Sequence, residues 1–152
     1  MTKRINENLT ERQKQIIRFY HHNTFLDYIR VEIVPTDDGQ VRLELSADEP
    51  HMNLYGIVHG GVLMTMADTA MGAACMVYNK KVVTISLSME FMHAVPLTQR
   101  ILTSATVLHN GTRTMTCECG ILSEEGKLFA KAHATFYVIG KFIDTEEAEE
   151  EK

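Results

Sequence analysis

Residues 53–75 read NLYGIVHGGVLMTMADTAMGAAC, and the fold is decided by how this stretch is interpreted. A glycine-rich turn carrying His59 leads into a long run of Val, Leu, Met, Ala and Cys. From Val62 to Val77 that run shows no wide polar face, so the pattern predicts a helix buried on all sides. Asp68 is its one acid. An ionised carboxylate in such surroundings costs on the order of several kcal/mol unless hydrogen bonds or a counter-charge meet it. Asp68 is therefore either satisfied by partners or kept neutral, and both conditions recur at catalytic sites. Thr65 and Thr69 are the nearest candidate partners, and a purely structural buried carboxylate is the competing reading.

His59, Gly60 and Gly61 stand where the helix begins, and the first turn of any helix leaves backbone N–H groups without intrahelical partners. Glycine lets a carbonyl approach the backbone closely, and the helix dipole favours negative charge there. Such a turn can serve as an oxyanion hole, and losing one donor of this kind costs about 2.7–4 kcal/mol of transition-state stabilisation. A tight-turn glycine is the plainer alternative for Gly60.

The spaced set Asn53, Gly56, His59-Gly60-Gly61 and Ala67-Asp68 resembles the hotdog-fold thioesterases of the phenylacetic-acid-degradation (PaaI) type. The resemblance extends over about residues 25–140. It implies an α+β hotdog fold, an antiparallel sheet wrapped around a long central helix. Such units pair edge to edge as homodimers, with active sites at the subunit interface, and many assemble further into homotetramers. The implied reaction is hydrolysis of an acyl-CoA thioester to a free acid and coenzyme A, with no metal or redox cofactor. Carried over residue by residue, the Gly60 amide is the oxyanion donor and Asp68 is the general base or the nucleophile. His59 orients or polarises the thioester, or simply caps the turn. Asn53 orients water or substrate, against the alternative of an ordinary Asx-turn. Thr84 contacts the water or the carboxylate, against that of a plain strand threonine. Met52, Leu54, Tyr55, Met64 and Met71 are candidate acyl-pocket residues. The chain departs from the family pattern after Phe91, where Met92-His93-Ala94 stands and a proline arrives only at Pro96.

Length and charge agree with one domain of this kind. The 152 residues carry a net charge of −5, which provides no basic field for nucleic acid. The first residues, MTKRINEN, lack the apolar core of a signal peptide, and no apolar run approaches bilayer length. A cytoplasmic protein is expected. Cys75, Cys117 and Cys119 are odd in number and lie in apolar contexts, as reduced thiols do. Cys117 and Cys119 share a strand face without a second ligand pair, which argues against a zinc site.

Along the chain, residues 1–24 form an N-terminal tail and helix. Thr10 and Gln13 make a capping box, and Ile16, Ile17, Phe19 and Tyr20 form the buried stripe. Residues 25–143 form the hotdog domain, and residues 144–152 read as a disordered acidic tail. Tyr28–Pro35 and Gln40–Ala47 are expected as a hairpin around Asp37-Asp38-Gly39, with Arg42, Glu44 and Ser46 on the wetted face. After the helix, strands near 81–93, 99–109, 112–122 and 127–139 form an antiparallel meander. In the first of these, Val83, Ile85, Leu87, Met89 and Phe91 share one face and Thr84, Ser86, Ser88 and Glu90 the other.

Two other functions suit parts of the pattern. A non-catalytic acyl-thioester sensor would need a DNA-binding region that one short N-terminal helix does not supply. A hotdog enoyl- or hydroxyacyl-thioester dehydratase would carry a different histidine-plus-carboxylate pattern on its helix.

Overall fold

The computed structural model describes residues 8–144; the expected acidic tail, beyond Asp144, lies outside them. Helices α1 (Glu11–Tyr20) and α2 (Thr24–Tyr28) precede strands β1 (Glu32–Pro35) and β2 (Val41–Ser46). The central helix α3 (Gly60–Val77) is followed by β3 (Lys80–Phe91), β4 (Arg100–Asn110), β5 (Thr114–Ser123) and β6 (Leu128–Lys141). The strands form a single antiparallel sheet in the order β1-β2-β4-β5-β6-β3. The sheet wraps α3, as a hotdog fold requires.

The capping box at α1 forms as expected, with Thr10 Oγ1 accepting from the Gln13 N–H and the Gln13 side chain accepting from the Thr10 N–H. Ile16 and Tyr20 are buried, but Phe19 is half-exposed. It stands edge-on to the rings of Tyr20 and Phe142 instead of entering the core. The buried stripe has Gln13 in place of Phe19: its side-chain amide donates to the carbonyls of Thr36 and Gln40 and ties α1 to the β1–β2 turn.

The strand expected from Tyr28 begins only at Glu32. Asn23 caps α2 by accepting from the N–H groups of Phe25 and Leu26, and Arg30 turns the chain at φ 58° before β1. An Asn cap three residues ahead of an aliphatic residue competes well with extended structure. The β1–β2 hairpin does form, with Pro35 opposite Val41 and Gly39 at φ 83°. Glu44, expected in water, is buried between Arg42 and Arg100, which both pair with its carboxylate.

The meander holds for β4, β5 and β6 but not for β3, which crosses to the far edge and pairs with β6. Residues 92–99 make that crossing, whereas Asn110-Gly111 and Glu125-Gly126 supply tight hairpin turns. A short turn forces neighbours together; a long connection does not.

Helix α3 also departs from expectation. Leu63, Met66, Ala67, Ala70, Met71, Ala73, Ala74, Cys75 and Met76 are buried, yet Gly61 and Met64 are exposed and Thr65, Asp68, Thr69 and Gly72 are only partly covered. Small residues on all sides let one face close against the sheet while the other stays open. The helix is also long and apolar enough to cross a bilayer by composition alone, with 18 residues at mean hydropathy 1.3. Here it is a half-buried core helix.

Candidate active site

Three of the five candidate residues meet at the start of α3. The loop before it closes on itself: the Asn53 N–H donates to the Ile57 carbonyl, the Gly56 N–H donates to the Asn53 carbonyl, and Gly56 takes φ 75°. Asn53 Oδ1 accepts from the N–H groups of Tyr55 at 2.8 Å and Ile57 at 3.3 Å. The Asx-turn is therefore present, and it occupies the oxygen of the side chain while leaving its amino group to the cavity. His59 is the N-cap. Its Nδ1 accepts from the Gly61 N–H at 2.8 Å, which places the proton of a neutral ring on Nε2. Among the described residues nothing pairs with Nε2.

Gly60 is the first helical residue, and its N–H has no partner among the described residues. A Cβ at Gly60 would lie 3.3 Å from the Phe91 ring, so the bare glycine lets the aromatic pack against the turn. Asn53, Gly60, Leu63, Phe91, Met92 and Val95 line a cavity of about 290 Å³. An open amide at the positive end of a helix, beside an apolar cavity, can receive the oxygen of a polarised carbonyl. The segment where the family pattern is broken, 92–95, forms one wall of this cavity, and Ile57 bridges to Pro96.

The other two candidates meet farther along. Thr84 Oγ1 donates to Asp68 Oδ1 at 2.7 Å. Neither Thr65 nor Thr69 plays this part; the Thr65 hydroxyl turns back to the Gly61 carbonyl at 2.9 Å. Thr84 reaches Asp68 because β3 carries a bulge. Thr84 pairs with Phe136 and Ser86 with Thr135, so Ile85 is an extra residue in the ladder. An extra residue reverses the alternation. Val82 packs against the core before it and Leu87 and Met89 after it, while Val83 and Ile85 are about half exposed. The single-face pattern expected for Val83 to Phe91 is thus broken at the point that turns Thr84 toward the helix.

These two clusters are two turns apart on one helix, about 12 Å along its axis. A thioester carbonyl held at Gly60 is out of reach of Asp68 in the same chain. Of the candidate acyl-pocket residues, Met71 lies fully in the core, Met64 lies on the open face of α3, and Leu54 and Tyr55 project from the loop.

Sequence reading missed His51. It is buried, its Nδ1 accepts from the Asp48 N–H, and its Nε2 lies 2.6 Å from the Ile29 carbonyl. It fastens the loop that presents His59, whose N–H donates to the His51 carbonyl. Only its place two residues before Asn53 signals this.

The sequence profile described as "Thioesterase superfamily" matches residues 55–130. The chain belongs to the thioesterase superfamily. Among superfamily relatives, Escherichia coli acyl-coenzyme A thioesterase PaaI is 23% identical over 84% of this chain and 91% of that protein. Human acyl-coenzyme A thioesterase 13 is 26% identical over 70% of this chain and 78% of that one. The E. coli PaaI structure superposes with a TM-score of 0.80 at 22% identity, covering 90% of this chain and all of that chain. A Streptococcus pneumoniae thioesterase-fold structure with coenzyme A gives 0.68 at 28% identity, covering 73% and 90%. These likenesses agree with the six-stranded hotdog sheet described above.

Proposed function

We propose that this superfamily member hydrolyses acyl-CoA thioesters to a carboxylic acid and coenzyme A, at a site completed by two copies of the chain. The observation that carries the reading is the division of the site along α3. An open amide sits at Gly60 and a tethered carboxylate about 12 Å away, so each is half of a catalytic pair. Edge strand β3 offers the means of joining two copies. Its outer edge has no strand partner among the described residues, and Val83, Ile85 and Phe91 stand half-exposed on it. Such an edge is a template for another strand, and pairing it with its twin about a twofold axis gives a closed, symmetric dimer. That axis runs α3 of one copy antiparallel to α3 of the other, which brings Gly60 of one toward Asp68 of the other.

In this arrangement the Gly60 N–H donates to the thioester oxygen as it gains charge. Asp68, held by Thr84 through Oδ1, presents Oδ2 to the reacting carbon. As general base it removes a proton from water while the water oxygen bonds to carbon; as nucleophile it bonds to that carbon itself, and water later cleaves the anhydride. In both routes the C–S bond breaks and the sulfur leaves as coenzyme A thiolate, which takes up a proton. The Nε2–H of His59 stands at the turn as a second donor to the substrate, and the Asn53 amino group a third. The acyl-CoA thioesterases among the relatives, and the coenzyme A in the streptococcal structure, support coenzyme A as the carrier. Three free buried thiols suit a reducing compartment such as the cytoplasm.

The deciding experiment measures free-thiol release from a panel of acyl-CoA esters by the native chain and by Asp68→Asn, together with light scattering. Turnover by the native dimer and its loss in the variant support the reading. Tight binding without turnover would instead identify an acyl-thioester sensor, and a stable monomer would remove the shared site.

A further inference from the structure

Residues 91–95 follow one another along a wall of the cavity of about 290 Å³ beside Gly60. A regular strand would turn alternate residues away, and the backbone shows why this segment does not. The N–H groups of Met92 and His93 both donate to the Phe129 carbonyl, at 2.9 and 3.0 Å, so two residues oppose one just past the end of β3. That is a bulge, a device that re-aims side chains. Of the residues lining the cavity, Asn53 and His93 bring polar side chains, and His93 is the one that can titrate. The oxygen of Asn53 is held within its own turn. His93 is exposed, and its imidazole has no partner among the described residues. In a cavity otherwise walled by Ile57, Leu63, Phe91 and Val95 it is a polar group without a task.

The two substituents of a thioester carbonyl held at Gly60 have different needs. Coenzyme A ends in a solvated polyanion, so its arm must leave the cavity on a side open to water. Phe91, Met92, His93 and Ala94 are all exposed, which puts an open side along this wall. The first amide of the arm begins two carbons beyond the sulfur. Phe91 packs against the Gly60 turn, and His93 is two residues on, roughly 7 Å at strand spacing; the first amide of an extended arm is about as far from the thioester carbonyl. Resting on the thioesterase reading, we propose that His93 is a specificity-determining residue for the carrier: its imidazole N–H donates to the first amide carbonyl of the pantetheine arm and so steadies the thioester oxygen at the Gly60 N–H. The acyl group lies on the other side of the carbonyl and does not meet His93.

The test compares two thioesters of equal carrier length, S-acetyl-N-acetylcysteamine, which has the amide, and S-pentyl thioacetate, which does not, with native protein, His93→Phe and His93→Gln. Phe keeps a flat ring and removes both nitrogens, whereas Gln restores a donor. The native chain favours the amide carrier in kcat/KM, and His93→Phe lowers that preference by about three- to tenfold, the scale of one neutral hydrogen bond. His93→Gln retains more of it than His93→Phe does. The different acidities of the two leaving thiols are common to every protein and cancel from the comparison. A general loosening of the fold would lower both rates and leave their ratio alone. A folded His93→Phe with the native ratio overturns the assignment, and so does a His93 effect that follows a hydroxyl on the acyl group, read from 3-hydroxybutyryl-CoA against butyryl-CoA. If His93→Phe does not fold, His93→Ala carries the same outcomes. If neither ester is hydrolysed, binding of the matching thioethers decides: an amide preference that His93→Phe removes leaves the carrier contact standing while the thioesterase reading falls, and native protein without that preference loses both.

Discussion

On one face of α3, Met66, Ala67, Ala70, Met71 and Ala73 are sealed against the sheet; on the other, Gly61, Met64, Thr65, Asp68 and Gly72 are exposed or half-covered. Both faces are built from small and apolar residues, so composition does not tell them apart. The difference lies in what is brought to each. The sheet covers the first, and dense packing there contributes stability. Among the described residues the second is met by Thr84 from the bulged edge strand and Tyr20 from α1, and it carries the helix's one charge, Asp68. One helix therefore serves as core and as active-site wall, and substitutions on its two faces should lower different quantities.

The sharpest contrast is expected at Asp68. Asp68→Asn keeps shape and the hydrogen bond from Thr84, so melting temperature should stay close to native while kcat falls by about 10²–10⁴, the scale of acid–base catalysis. Equal rates of thiol release in the two proteins would remove Asp68 from the chemistry. Met71→Ala on the sealed face should do the reverse. Unfolding free energy measured in urea should drop by about 2–5 kcal/mol, with kcat per folded molecule unchanged.

The sealed side should also have a signature at high pH. Burial pushes the Cys119 thiol up to about 12 from an ordinary 9.0. On α3 itself the Cys75 thiol is raised as well, by its contact with the Cys117 sulfur 3.6 Å away and by burial. The unfolded chain loses these protons from about pH 9 upward while the folded chain keeps them. The stabilisation is complete below pH 9 and is lost as pH rises toward 12, at about 1.4 kcal/mol per pH unit for each thiol that stays protonated. Denaturant titrations at pH 8 and pH 10.5, on native protein and Cys119→Ala, check it: the variant should show the shallower fall.

Much of this arrangement can be read from the chain. The apolar run after His59-Gly60-Gly61 specifies α3, alternating residues with Gly turns specify β2 and β4–β6, and Thr10 with Gln13 specifies the start of α1. The openness of one α3 face is not legible, because alanine, glycine and methionine suit a buried or an open surface equally. The bulge at Ile85 is hidden for a related reason. Residues 83–91, VTISLSMEF, alternate without a break, and only pairing with β6 shows that one residue is extra. Alternation alone groups Thr84 with Ser86, Ser88 and Glu90, opposite Val83 and Ile85, and only the resemblance linked it to the carboxylate. His51 is invisible because its role depends on Ile29 and Asp48 arriving from elsewhere in the fold.

The smallest effect, and the one that tests the bulge most directly, is expected at Thr84. Thr84→Val keeps the β-branched shape that edge strand β3 favours and removes only the hydroxyl that donates to Asp68 Oδ1. A hydrogen bond to a charged group is worth about 1.5–3 kcal/mol when buried, and this one is partly open to solvent. Asp68 would keep its place on the helix but lose the group that fixes its rotamer. The loss should appear as roughly a five- to thirty-fold fall in kcat, with KM nearly constant, because an acid swinging free spends less time aligned with the reacting carbon. Deleting Ile85 tests the bulge through the backbone. The ladder becomes regular while Thr84 stays opposite Phe136 and comes into phase with Leu87, so the hydrogen bond to Asp68 survives and kcat should fall less than in Thr84→Val. A folded deletion variant that loses as much activity as Thr84→Val would show that the extra residue itself is needed to aim the threonine.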